Sequence, residues 1–291
     1  MIFIIIQGKD TQMGQITALM DNLSSENKGL TSEHGLSLLI EKGNARILFD
    51  CGASDTPLKN ARRLGKDLHH LSCVVLSHSH YDHACGYRDL IEQGMGSAVL
   101  YTGPHFFKKK YAFDGICYTD LSCGFDESFL NEHGILHKEC NHVVMLAEGI
   151  WAIGNFPRLH SFEQIPERFV CCSDTNPIHL TQDDFSDEIC IAIDTKKGII
   201  VLLGCSHPGV LNMVQEVHRL LQKPIYAIFG GTHLVEAAAD RVDQTLSYFK
   251  EMGVELLGLS HCTGMDAENR IRTDHSVKSC HMAVGNVIFF E

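Results

Sequence analysis

The sequence predicts a mixed α/β domain built in two related halves, and three observations carry that prediction. An apolar run at residues 71–76 ends abruptly in Ser-His-Ser-His-Tyr-Asp-His, so a buried strand delivers polar chemistry at its end. After residue 189, apolar runs of strand length alternate with stripes of helical period. Three of those runs, at 198–203, 225–229 and 255–259, are each followed within a few residues by a histidine: His207, His233 and His261. Strand ends along one edge of a sheet converge in space, so these histidines are expected near the first cluster.

Taken in order, the chain opens with possible strands at 2–6 and 15–19, then a polar loop at 21–31. Residues 37–40 and 46–49 read as a hairpin through Glu41-Lys42-Gly43-Asn44, which brings Asp50 to a strand end. A helix follows over 56–64, with Pro57 in its first turn and Gly65 at its stop. His69 and His70 precede the strand at 71–76 and read as exposed. A short helix is expected at 87–93 and a strand at 98–101. The Lys108-Lys109-Lys110 run reads as a solvated face, with attraction of a phosphate near the site as the alternative. Short strands follow at 143–145 and 149–153. Residues 155–188 lack clear periodicity and read as a lid or substrate loop. A hairpin at 189–194 and 198–203 leads to a helix at 210–221, a strand at 225–229, a helix at 237–252, a strand at 255–259 and a last strand at 287–290. No repeat, linker or low-complexity tract divides the chain, so residues 1–291 read as a single domain.

Composition narrows the function. With 44% apolar and 21% charged residues, this is the composition of an ordinary soluble globular protein. A net charge of −12 argues against a nucleic-acid partner held through phosphates. No apolar run approaches the roughly 18 residues of a membrane span, and the start lacks the basic and apolar regions of a signal peptide. The 12 cysteines contain no Cys-x-x-Cys spacing and read as reduced thiols of a cytoplasmic protein. The expected partner is a small-molecule substrate, with homo-oligomerisation left open.

The chemistry sits at residues 78–83. Three imidazoles and a carboxylate within six positions make poor core, because each buried polar group left unpaired costs about 1–3 kcal/mol. As metal ligands they need no such partner. Alternate residues past a strand end, His78 and His80, point the same way and share one ion; Asp82 and His83 are placed for a second. With 18 His in the chain, chance yields this spacing in roughly one such sequence in two hundred. His261 and His207 are the further ligands expected from the later strand ends. His233 follows Gly230-Gly231, a backbone that lets a ligand approach closely, and is assigned to substrate binding or general acid catalysis. Arg158 is a candidate anion clamp, and Glu33 and His34 are candidate contacts from the N-terminal half.

Ser-His-Ser-His-Tyr-Asp-His resembles the signature of the metallo-β-lactamase superfamily. The stretches at 33–41, 204–209, 230–234 and 261–264 are similar to a subfamily that includes an archaeal dihydropterin-type synthase. The resemblance implies a four-layer αββα sandwich with one or two divalent transition-metal ions at one edge, zinc foremost, with manganese or iron as alternatives. It also implies that Asp50 supports the metal loop by hydrogen bonding. Cys205 stands where many such enzymes carry a bridging Asp, which leaves the second ion's ligands open. The implied activity is a hydrolase acting through metal-bound hydroxide on a small phosphorylated, ester or lactone metabolite, with Asp82 orienting the nucleophile. The alternatives are a pterin-type transferase that displaces diphosphate and a non-catalytic sensor of metal or ligand.

Overall fold

The computed structural model describes residues 13–95, 99–173 and 176–291. Two seven-stranded sheets form the body. The first runs from edge to edge as Val287–Phe290, Gly14–Met20, Ser37–Lys42, Ala45–Phe49, Cys73–Val75, Val99–Thr102 and His137–Glu139. The second runs as Lys278–His281, Leu256–Leu259, Ile225–Gly230, Gly198–Leu203, Ile189–Thr195, Ile150–Gly154 and Val143–Ala147.

Alternation along the strands explains why these sheets stack. Leu38, Ile40, Ile47 and Phe49 of the first sheet share a buried cluster with Ile191, Ile193, Ile200 and Leu202 of the second. Their alternate neighbours face outward: Leu39 and Leu48 pack with Leu58, Ala61 and Leu90 of the helices Thr56–Arg63 and Gly86–Glu92. Ile199, Val201 and Leu203 pack with Val214, Leu246 and Ile271 of the helices Val210–Leu221, Ala239–Glu251 and Met265–Thr273. Side chains of period two, apolar on both faces, need a partner layer on each side. The result is the four-layer αββα sandwich that the resemblance implied.

In each sheet the strands nearest the chemistry are parallel: Ala45–Phe49 with Cys73–Val75, and Gly198–Leu203 with Ile225–Gly230 and Leu256–Leu259. Their carboxyl ends therefore lie at one edge, as in other open α/β sheets that bind ligands there. The hairpin, the helix over 56–63 and the helix Val210–Leu221 match the expectations closely. The strand expected at 2–6 lies outside the described residues.

One expectation is corrected. Residues 155–188 are not without regular structure: they hold the paired strands Phe169–Ser173 and Asn176–Gln182. Phe169–Ser173 also pairs with Lys110–Phe113, which pairs with Tyr118–Asp120, making a separate four-stranded sheet. The partner strand lies some sixty residues away in sequence, so local periodicity carries no trace of it. The run at 108–110 is corrected with it, because Lys110 is buried.

Candidate metal centre

Seven of the side chains singled out in the sequence meet at the shared edge of the two large sheets. His78, His80 and His207 bring one ring nitrogen each to within 4.8 Å of one another. All three rings are buried. The Nε2 atoms of His78 and His80, and both ring nitrogens of His207, have no hydrogen-bond partner among the described residues. Burial holds all three imidazoles far below their ordinary pKa, so they are neutral and present lone pairs. Four orphaned buried nitrogens would cost several kcal/mol at about 1–3 each, and a divalent ion held by one nitrogen of each ring would remove most of that cost.

Beside this trio lies a second set. His83 Nε2 is 3.2 Å from His261 Nε2, 3.1 Å from Cys205 Sγ and 3.9 Å from Asp82 Oδ2. His261 Nε2 is 3.2 Å from Asp82 Oδ2. Donors on one tetrahedral zinc with bonds of about 2.1 Å stand about 3.4 Å apart, so these spacings suit a single ion. The His78 and His83 rings are 4.3 Å apart, which places the two sets side by side. Cys205 occupies the wall between them, and its sulfur is part of the donor set.

The candidate ligands are aimed by buried partners. Asp50 Oδ2 accepts from His83 Nδ1 at 2.6 Å, while Asp50 also accepts from the Ser77 backbone at 2.7 Å and its hydroxyl at 2.8 Å. That contact turns His83 Nε2 toward the centre, and it gives Asp50 the supporting role the resemblance implied. Burial alone would lower the His83 pKa, but Asp50 and Asp82 hold it up to about 9. Burial would likewise raise the Asp82 carboxyl; His83, with His261 and His34, outweighs it and keeps the group well below the usual range. His261 donates Nδ1–H to Asn22 Oδ1 at 3.0 Å, and its backbone N–H reaches Asp21 Oδ1 at 2.8 Å. Glu188 accepts from the backbone N–H groups of Ser206 and His207, fixing the loop that carries His207. Burial pushes the Glu188 carboxyl up to about 7.

The backbone is bent to make these contacts. Asp50, Ser206, His233 and His261 all adopt positive φ, between 48° and 66°, at or just past strand ends. Non-glycine residues there are strained and gather where geometry serves a site. A Cβ on Gly204 would lie 2.2 Å from Ser77 Oγ, so only glycine lets the two sheets' edges approach so closely.

The small sheet and the segment that follows it supply the cover. Phe185 stacks on His207 with ring centroids 3.8 Å apart, and Phe169 lies 5.1 Å from His207 and 5.6 Å from His80. Lys110 pairs with Asp183 at 2.9 Å and Asp187 at 2.7 Å, and Asp187 accepts from the Ser79 backbone between the two first histidines. His233 sits 4.2 Å from the His207 ring, and burial takes its pKa down to about 4.

Two expected contacts are not brought to the centre. Glu33 Oε2 instead accepts from Ser54 Oγ at 2.7 Å and Thr56 Oγ1 at 2.6 Å, hydroxyls at the start of a helix. Arg158 instead donates to the carbonyl of Asp184 on an exposed flank. Sequence reasoning missed Asp21, Asn22, Glu188 and Lys110. The polar loop at 21–31, the lysine run at 108–110 and the acidic residues of 183–188 mark their neighbourhoods, but none of these roles was read from them.

Residues 30–115 match the family model described as the metallo-beta-lactamase superfamily. The chain belongs to that superfamily, whose members act as metal-dependent enzymes. It is 29% identical over 290 residues to the 7,8-dihydropterin-6-methyl-4-(β-D-ribofuranosyl)-aminobenzene-5'-phosphate synthase of Methanocaldococcus jannaschii, covering 95% of this chain and 96% of that protein. It is 30% identical to an uncharacterised protein of the same organism, over 88% of this chain and 93% of the other. Among solved structures, a metal-dependent hydrolase of the β-lactamase superfamily superposes with a TM-score of 0.82 at 27% identity, covering 94% and 98% of the two chains. The metallo-β-lactamase fold protein YhfI of Bacillus subtilis shares the fold alone, with a TM-score of 0.57 at 13% identity over 96% of this chain and 100% of that one.

Proposed function

We propose that the protein is a metal-dependent hydrolase of a small phosphorylated, ester or lactone metabolite. The observation that carries this reading is the pair of adjoining donor sets, one with four orphaned imidazole nitrogens and the other built around ionised Asp82. His78, His80 and His207 would hold one ion; Asp82, His83 and His261, with Cys205 alongside, would hold a second. Divalent ions there supply Lewis acidity, making water a nucleophile near neutral pH and drawing charge from a phosphoryl or carbonyl oxygen. Zinc suits the nitrogen-rich donor set, with manganese and iron as alternatives.

The chain's own groups do the rest. Asp82 stays ionised and accepts a hydrogen bond from the attacking water, which orients it toward the substrate. His233 is neutral at pH 7, so its N–H can donate to an oxygen that gains charge in the transition state. Phe169 and Phe185 wall the site and keep bulk water from competing. The substrate is a small molecule; among the described residues no helix is long and apolar enough to cross a membrane.

A second reading is favoured by the extent of the likeness to the archaeal synthase, which spans nearly both chains. There the same residues would hold a diphosphate leaving group while a second substrate displaces it. The test is a panel of phosphoesters, alkyl diphosphate esters and lactones with zinc, manganese or iron(II) added, run beside Asp82→Ala. Metal-dependent turnover of at least 100-fold over the variant is the expected result. No turnover on any single substrate, with pyrophosphate released only when an aryl amine is also supplied, would replace hydrolysis with transfer.

A further inference from the structure

His34 is an exposed histidine with an unusually well-fixed position. Its side chain is 57% accessible, yet Nε2 lies 3.1 Å from Asp82 Oδ2 and its ring is 4.8 Å from that of His261. His34, Asp82 and His261 bring one ligand atom each to within 4.8 Å of one another.

The chain on both sides of His34 is pinned. Before it, the Glu33 backbone N–H reaches the Asp21 carbonyl at 3.3 Å, and the Glu33 carboxylate takes the two hydroxyls of Ser54 and Thr56. After it, the Gly35 N–H donates to Asn22 Oδ1 at 3.1 Å and the Leu36 N–H to the Asp82 carbonyl at 3.2 Å. Gly35 itself has φ +143°, and a Cβ there would stand 2.4 Å from that same carbonyl. Asn22 Oδ1 also accepts from His261 Nδ1, so one amide oxygen sets the positions of both imidazoles. A solvated surface histidine needs none of this, whereas a ligand gains from it because the ordering is done before the ion arrives.

We propose that His34 is a protein ligand of the second metal position, closing the Asp82, His83 and His261 set on its solvent side. The proposal rests on the two-ion reading above. The 3.1 Å separation between His34 Nε2 and Asp82 Oδ2 matches the 3.2 Å between His261 Nε2 and Asp82 Oδ2, as two nitrogens sharing one ion with the same oxygen would be. The donor comes from a loop more than forty residues ahead of the histidine-rich motif. That loop thereby becomes part of the centre, and the exposed side of the second ion is more enclosed than the motif alone provides.

The test is stepwise titration of metal-free protein with cobalt(II), followed by absorption and by total metal analysis, for the intact protein, His34→Ala and His34→Gln. Because His34 is exposed, neither change should disturb folding, and circular dichroism checks this. The intact protein should take two ions. Both variants should keep the first with unchanged affinity and bind the second 10- to 100-fold more weakly, with an altered cobalt spectrum. Added imidazole should restore part of the second ion's affinity in His34→Ala. If the intact protein takes two ions and the variants match it in affinity and spectrum, His34 is only a hydrogen-bond partner of Asp82 and the proposal fails. If the intact protein takes no second ion, the two-ion reading fails and this proposal with it.

Discussion

Each ligand that faces the centre has its other nitrogen or its backbone committed elsewhere, and His261 shows how far the commitment extends. Its backbone is held by Asp21, whose second oxygen accepts from His281 Nε2 at 2.6 Å, while His281 Nδ1 faces Glu268 at 2.9 Å. An imidazole with a carboxylate at each nitrogen must carry two protons to satisfy both. Burial would lower the His281 pKa, but the hydrogen bonds to Asp21 and Glu268 outweigh it and raise the value to about 9 from an ordinary 6.5. A pKa raised on folding stabilises fully below the unfolded value and loses that contribution as pH rises through the folded one. The melting temperature is therefore expected to fall between pH 6.5 and 9 in the intact protein, and to fall less steeply in His281→Gln. Parallel curves for the two would show that the doubly paired imidazole does not form in solution. Neither Asp21 nor His281 stood out in the sequence, because their contact spans 260 residues and neither lies in a recognisable motif. The candidate donors were legible as a cluster, since His78, His80, Asp82 and His83 are crowded within six positions and make poor core.

At the scale of elements, strands with a clear apolar run were readable even where their partner is distant, as Gly14–Met20 and Val287–Phe290 are, and the strands of the small sheet were not. The strand Gly198–Leu203 and the helix Val210–Leu221 follow from local runs and period, because each buries its apolar face against a neighbour in the chain. The strand Lys110–Phe113 is short, basic and aromatic, and it becomes a strand only by pairing with Phe169–Ser173. Burying Lys110 is what ties that small sheet to the metal loop, through Asp187 and the Ser79 N–H. The Asp183, Asp187 and Lys110 side chains are all at least 95% buried. Removing the cation leaves two carboxylates facing each other without a counter-charge, so Lys110→Met should cost about 3–5 kcal/mol of stability. Urea denaturation measures this directly. The same variant should bind the first ion more weakly, because the backbone between His78 and His80 loses its anchor. A loss under about 1 kcal/mol with unchanged metal affinity would mean that the small sheet rides on the body without bracing it.

The whole molecule is two sheets whose inner faces make an ordinary apolar core and whose shared edge is expensive to keep. That edge combines orphaned imidazole nitrogens, four non-glycine residues at positive φ and a close approach at Gly204 that tolerates no side chain. Such costs persist where the surrounding structure over-determines them, and a bound ion would offset part of them here. The net charge of −12 makes positive ions at the edge more important still, since they supply the local field an anionic substrate would meet. Binding linkage gives the size: an ion at a thousand times its dissociation constant stabilises the folded state by about 4 kcal/mol. Stripping the metal with a chelator should therefore lower the melting temperature of the intact protein by several degrees, reversibly on adding zinc. His207→Leu separates the ion's contribution from the fold's, because it removes two orphaned nitrogens while keeping an apolar body against Phe185. In chelator, that variant should melt no lower than the intact protein, because replacing an unsatisfied buried polar group with a similar apolar one is close to neutral. With zinc it should gain less than the intact protein does. If chelator leaves the intact protein's melting temperature unchanged, the edge is stable without its ions, and the orphaned nitrogens must find partners that the metal-centre reading does not supply.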